Sequence, residues 1–135
     1  MNRHIVATDH APAAVGPYSQ GVQLGDLVFT AGQLGIVPGS GDFAGPGIQS
    51  QTRQALQNVK AVLEAAGSCL EHVVKVTVFL QDMDEFSQMN EVYAEFFSEG
   101  PPARSAVQVA ALPLGGRVEI EAIAEACGCD GEEAK

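Results

Sequence analysis

Lysine and arginine are scarce in this chain: seven, against seventeen aspartates and glutamates, for a formal net charge of -10 at pH 7. The seven are scattered. Phosphate binding needs clustered cations, so the composition argues against a nucleic-acid partner, and acidic surfaces are repelled by anionic membranes. Long apolar runs are missing too: none reaches the ~18 residues that span a bilayer. The start Met1-Asn2-Arg3-His4-Ile5-Val6 lacks a basic stretch followed by an apolar core, so no signal peptide is expected and the cytoplasm is the expected location. Cysteine occurs three times, an odd count. Cys69 is expected to pack as a small apolar residue. Cys127-Gly128-Cys129 lacks matching partners, and His4, His10 and His72 show no ligand spacing, so no metal site is expected. Reduced intracellular thiols are the expected state of the Cys127/Cys129 pair.

Apolar residues are plentiful. At 46% hydrophobic and 18% charged, 135 residues make one globular domain. Its expected bounds are 1–126, followed by an acidic, frayed tail at 127–135. Arg3 to Thr8 reads as a short strand. Gly21 to Leu24 and Leu27 to Ala31 are strands joined at Gly25-Asp26, a hairpin signal. The glycine-rich stretch from Gly32 to Gly47 reads as a long loop. From about Ile48 to Ala66, Ala55, Leu56, Val59, Val62, Leu63 and Ala66 recur at helical spacing, and Gly67 is placed to end the helix. His72 to Leu80 is β-branched and apolar at nearly every position, the pattern of a strand covered on both faces.

Asp82, three before Glu85, fits a capping box at the start of a second helix. Phe86, Met89, Tyr93, Phe96 and Phe97 form its core stripe, and Gly100-Pro101-Pro102 stop it. Strands at Arg104 to Ala110 and Arg117 to Ala124 close an α+β order, β-β-β-α-β-α-β-β. Two helices cover one face of such a sheet. The other face is also apolar, which predicts a closed homo-oligomer built through the sheets.

Arg104 stands out against this background. It lies in an apolar strand, and a buried guanidinium is costly unless it meets an anion. Its planar fork suits a carboxylate. Two readings are open: a pocket that grips a small acid, with Glu119 nearby for acid/base work, or a structural ion pair with Glu119 or Glu121.

Gly16-Pro17-Tyr18-Ser19-Gln20-Gly21, Phe29-Thr30-Ala31-Gly32-Gln33, Asn58 to Gly67, Val73 to Leu80, Met89-Asn90-Glu91-Val92-Tyr93, Pro102-Ala103-Arg104-Ser105-Ala106 and Val118-Glu119-Ile120-Glu121-Ala122 stand in an order that resembles the RidA (YjgF) family across Arg3 to Glu125. The resemblance implies a chorismate-mutase-like single domain with two helices on one face of a mixed sheet. It implies a homotrimer with a central barrel and pockets at the subunit interfaces. It also implies cofactor-independent hydrolysis of reactive 2-imino or enamine acids, such as 2-iminobutanoate and 2-iminopropanoate, to 2-keto acids and ammonia. Pyridoxal-phosphate-dependent dehydratases release such intermediates.

By resemblance, Arg104 binds the substrate carboxylate, Glu119 places the attacking water, Tyr18 and Asn90 belong to the pocket, and Gly32 and Ala106 meet the ligand through their backbones. Thr30 stands where some members have Ser, and Ala106 where some have Cys; both keep the hydroxyl or N–H that the chemistry uses. The same residues suit a non-catalytic trimer that binds small carboxylates and regulates a partner. A nuclease role is disfavoured by the charge, and a holdase role by a closed barrel.

Overall fold

The structure, a computed structural model, describes residues 2–126. The acidic tail and its Cys127/Cys129 pair lie outside the described residues. Three short antiparallel strands open the chain: β1 (Arg3–Val6), β2 (Gly21–Leu24) and β3 (Leu27–Thr30). Gly25, at φ 59°, closes the β2–β3 turn in the left-handed region. A two-residue strand follows, β4 (Gln33–Leu34), inside the stretch expected to be loop. Helix α1 (Ile48–Ala65) covers the expected span. Gly67, at φ 78°, ends it, and the Ser68 hydroxyl ties the exit to the Glu125 carbonyl at 2.6 Å.

β5 (Val73–Leu80), α2 (Phe86–Phe96), β6 (Ala103–Gln108) and β7 (Val118–Glu125) complete the order. The capping box does not form. Asp82 caps a single 3-10 turn, Met83–Glu85, by accepting the Asp84 N–H. Glu85 turns away to pair with Arg117 from the other end of the chain.

The sheet runs β1-β2-β3-β7-β5-β6, with β4 also on β7. Among the described residues only β5 and β6 pair in parallel. Last in sequence, β7 is central in space: β5 lies along one side, and β3 and β4 share the other. Strict alternation marks it. Val118, Ile120, Ala122 and Ala124 are buried beneath α1 and α2, in one core with Leu56, Val59, Leu63, Val76, Val78 and Leu80. Burying each of these valine, leucine and isoleucine side chains stabilises the fold by about 2 kcal/mol before entropy is counted.

Glu119, Glu121 and Ile123 point to the opposite face, where Phe29 and Val107 are exposed. Within the chain, β5 is therefore covered on one face, not two: Val76, Val78 and Leu80 are buried, while Lys75, Thr77 and Phe79 are half-buried on the open side. The expected uncovered sheet face is present.

Two expectations about small residues change. Cys69 is half-buried and disulfide-bonded, so it is not the small apolar filler anticipated. Asn58, which reads as polar helix surface, is fully buried and donates to the carbonyls of Leu34 and Ile36. That amide pins the strand-like stretch at β4 to α1.

Candidate active site

Arg104 and Glu119 do not meet. In the strand registers Arg104 lies opposite Val76, which faces Ala122, while Glu119 lies opposite Phe79. That is three residues along β5 and two strand spacings across it, about 10 Å in each direction. Their side chains also leave opposite faces. Arg104 and Ala106 sit on the helix side: Ala106 packs on the core, and the Arg104 guanidinium lies over rings of α2. Glu119 and Glu121 stand on the open side. Within the chain, no structural ion pair joins Arg104 to either carboxylate among the described residues.

The helix-side group is Arg104 with Asn90. Nη1 of Arg104 donates to Asn90 Oδ1 at 2.6 Å. Arg104 sits on an edge strand, half-buried, so its outer edge stays accessible.

The open-side group is built around a break in the β3 ladder. β3 follows β7 as far as Phe29 opposite Ile123, and β4 resumes with Gln33 opposite Ile120. Between them, the Thr30 hydroxyl accepts the Ala122 N–H at 3.0 Å. Thr30 is buried, and its hydroxyl does the work of a missing ladder carbonyl. Gly32 falls in the gap that results. A Cβ on Gly32 would overlap the Glu119 carboxylate, so glycine is what lets that carboxylate lie against the backbone. Burial raises the pKa of Glu119 above its ordinary value, and repulsion from Glu121 adds to the rise. A carboxylate so tuned is a better base near neutrality than a free one.

Tyr18 is half-exposed on the loop between β1 and β2. That loop is organised by a residue sequence reasoning passed over, Gln20. Its buried amide takes the Thr8 N–H and donates to the carbonyls of Thr8, Ala11 and Pro12. The Gln20 carbonyl accepts the Ala31 N–H, which joins the Tyr18 loop to the strand beside Gly32. The signal available was a glutamine two residues after Tyr18 in the run Gly16-Pro17-Tyr18-Ser19-Gln20-Gly21.

The expected site residues therefore fall into two groups on opposite faces of the sheet. Arg104, Asn90 and Ala106 form one; Glu119, Gly32 and the Tyr18 loop form the other. A cavity of about 160 Å³ lies elsewhere, between Leu70, Glu71, Phe97, Glu99 and Pro102. Among the described residues no cluster of three or more His, Cys, Asp or Glu is placed to hold a metal. No helix there is long and apolar enough to cross a membrane.

These features define a class: small α+β proteins with two helices on a mixed sheet, an arginine over aromatic rings on one side and a carboxylate of raised pKa on the other. The family model described as Endoribonuclease L-PSP matches residues 8–126, and the chain belongs to that family, also known as the YjgF/RidA family. It is 52% identical to a RutC family protein of Pyrococcus horikoshii over 90% of this chain and 97% of the relative. It is 51% identical to the 2-iminobutanoate/2-iminopropanoate deaminase of Capra hircus over 90% of this chain and 89% of the relative. Among solved structures, E. coli TdcF with bound serine superposes with a TM-score of 0.87 at 47% identity, covering 90% of this chain and 98% of that one.

Proposed function

We propose that this chain hydrolyses reactive 2-imino and enamine acids, such as 2-iminobutanoate and 2-iminopropanoate, to 2-keto acids and ammonia, in a closed homotrimer joined through the open sheet faces. The observation that carries the assembly is the separation of Arg104 from Glu119. Each half-site is incomplete alone, and the open face beside Glu119, where Phe29, Phe79, Val107 and Ile123 stand among the polar residues, is a surface that a second copy would cover. In the trimer, Arg104 and Asn90 of one copy face Glu119 and Gly32 of the next. The relatives named as 2-iminobutanoate/2-iminopropanoate deaminases support the reaction.

The chemistry asks little of the protein. An imine carbon is already electrophilic. Arg104 holds the substrate carboxylate, and Glu119 accepts a proton from water as its oxygen bonds to that carbon. Protonated Glu119 then gives that proton to the nitrogen of the tetrahedral carbinolamine, the C–N bond breaks to release ammonia, and the carboxylate takes the hydroxyl proton as the C=O of the keto acid forms. Holding substrate and water together supplies several kcal/mol, and no step calls for a cofactor. Such substrates are released by pyridoxal-phosphate-dependent dehydratases acting on threonine or serine, which places this activity downstream of them.

The test is a coupled assay. Imine is generated from threonine by a dehydratase, and its decay is followed with wild type, with Arg104→Ala and without protein. Acceleration by wild type and none by the variant is expected; no acceleration by a folded wild type refutes the hydrolase. The serine bound to E. coli TdcF favours a second reading, a regulatory protein that binds small carboxylates without turnover. Glu119→Gln separates the two: it abolishes turnover and spares binding in an enzyme.

A further inference from the structure

Arg104 is held from beneath by α2. Phe86, Asn90 and Tyr93 are four and three residues apart, a spacing that puts them on one helix face. The guanidinium carbon lies 4.5 Å from the centroid of the Tyr93 ring and 5.3 Å from that of Phe86. Asn90 Oδ1 takes one Nη1 proton. Among the described residues the Nε–Nη2 edge has no hydrogen-bond partner, and no carboxylate pairs with Arg104. Tyr93 is 6% exposed, and its hydroxyl lies within reach of Arg104 but has no partner in good hydrogen-bond geometry there. Burial raises the Tyr93 pKa more than the Arg104 charge lowers it, so the ring beneath the cation stays neutral.

An unpaired arginine on an edge strand would ordinarily sample several rotamers, at a cost in entropy when it binds. Here the guanidinium carbon lies over two aromatic rings, which attract the cation and restrict its rotamers. The anchored Nη1 restricts its rotation. What remains is a side-on pair of parallel N–H groups, the geometry that a carboxylate fills at two points.

We infer that Phe86, Asn90 and Tyr93 are positioning residues, which lock the Arg104 guanidinium as a two-point fork and make this face of α2 the determinant of selectivity for planar carboxylates. The inference rests on the proposed role of Arg104 as the carboxylate grip and adds what makes that grip rigid.

The probe is 2-oxobutanoate, the keto acid expected as product, and the readout is its affinity by calorimetry, apart from any turnover. Tyr93→Phe keeps the ring and should bind within about twofold of wild type, whereas Tyr93→Leu should bind about ten- to thirtyfold more weakly. Arg104→Lys keeps the charge and loses the fork. In that background Tyr93→Leu should cost almost nothing further, an outcome that a purely structural role for Tyr93 does not produce. Equal affinity of wild type and Tyr93→Leu, or full additivity with Arg104→Lys, overturns the inference. If Tyr93→Leu fails to fold by circular dichroism, Asn90→Ala takes its place in the cycle, with an expected loss of about fivefold and the same refuting outcomes. Unaltered binding by Arg104→Ala, or no binding by wild type, sinks the carboxylate grip and this inference with it. Binding by a wild type that does not hydrolyse imine sinks only the enzyme reading.

Discussion

Chains carrying Arg104→Ala and chains carrying Glu119→Gln should be inactive apart and active together. The two side chains leave opposite faces of the sheet, and the strand registers place them about 10 Å apart in each in-plane direction. A four- or five-carbon acid cannot touch both within one protomer. Each variant alone should lose at least about a hundredfold in activity, because a charged two-point contact or the base is gone. In a cyclic trimer, every site then needs an intact Arg104 from one copy and an intact Glu119 from its neighbour. In an equal random mixture each condition holds half the time, so about one quarter of sites are rebuilt. The assay is the coupled imine decay after the two chains are unfolded and refolded together. Wild type mixed with a chain carrying both substitutions provides the control. Shared sites retain about one quarter of activity, whereas sites wholly within one chain retain about half. A mixture no more active than the sum of its parts, with half the activity retained in the control, would refute the two-copy site.

Further expectations concern single positions. Gly32→Ala should lower kcat about ten- to a hundredfold through displacement of the Glu119 carboxylate. Its thermal midpoint should stay near that of wild type, because what gives way is the end of a flexible side chain; a large fall in the midpoint would contradict this. Gly35→Ala is the contrast. There a Cβ would come within 2.5 Å of the Gln51 Cα and 2.8 Å of its carbonyl carbon, both backbone of α1. Denaturant titration should show a loss of about 3 kcal/mol, and a loss within error would be a refutation. Glu119 has its pKa raised in the fold, first by burial and then by Glu121. Its protonated form is therefore favoured by folding, and stability falls as pH rises through the folded-state pKa. Glu119→Gln should melt higher than wild type at neutral pH, and the gap should close as pH falls below the ordinary glutamate range. A gap that is independent of pH would disprove it.

Most of the fold was legible because its cues are local. The 3.6-residue period from Ile48, the left-handed glycines at 25 and 67 and the surplus of apolar residues on two sheet faces all read directly from the chain. What escaped depends on distant partners. β4 is two residues in a glycine-rich stretch, and it is a strand because β7 and the Asn58 amide lie beside it. Asp82 and Glu85 have the spacing of a capping box, but Arg117 takes Glu85. In the site, Arg104 announced itself as a cation among apolar residues. Its face did not, since a strand's parity is set by its register against β5, a segment far away in the chain. Tyr93 was visible as part of the helix stripe. Its place beneath a guanidinium was not, because the strand above it arrives from further along the chain.

The central place of β7 has a consequence for how the molecule is made. β3, β4 and β5 all hydrogen-bond to a strand that the ribosome delivers after them. Until Val118–Glu125 emerges, the hairpin of β2 and β3 has no bridge to β5, and both helices have only part of a surface to pack on. Before β7 is made, the nascent chain therefore holds many of its valines and leucines unsheltered, with three strand edges unsatisfied. A ribosome stalled before residue 118 would carry a sticky, protease-sensitive chain, and one stalled with β7 clear of the exit tunnel would carry a folded domain.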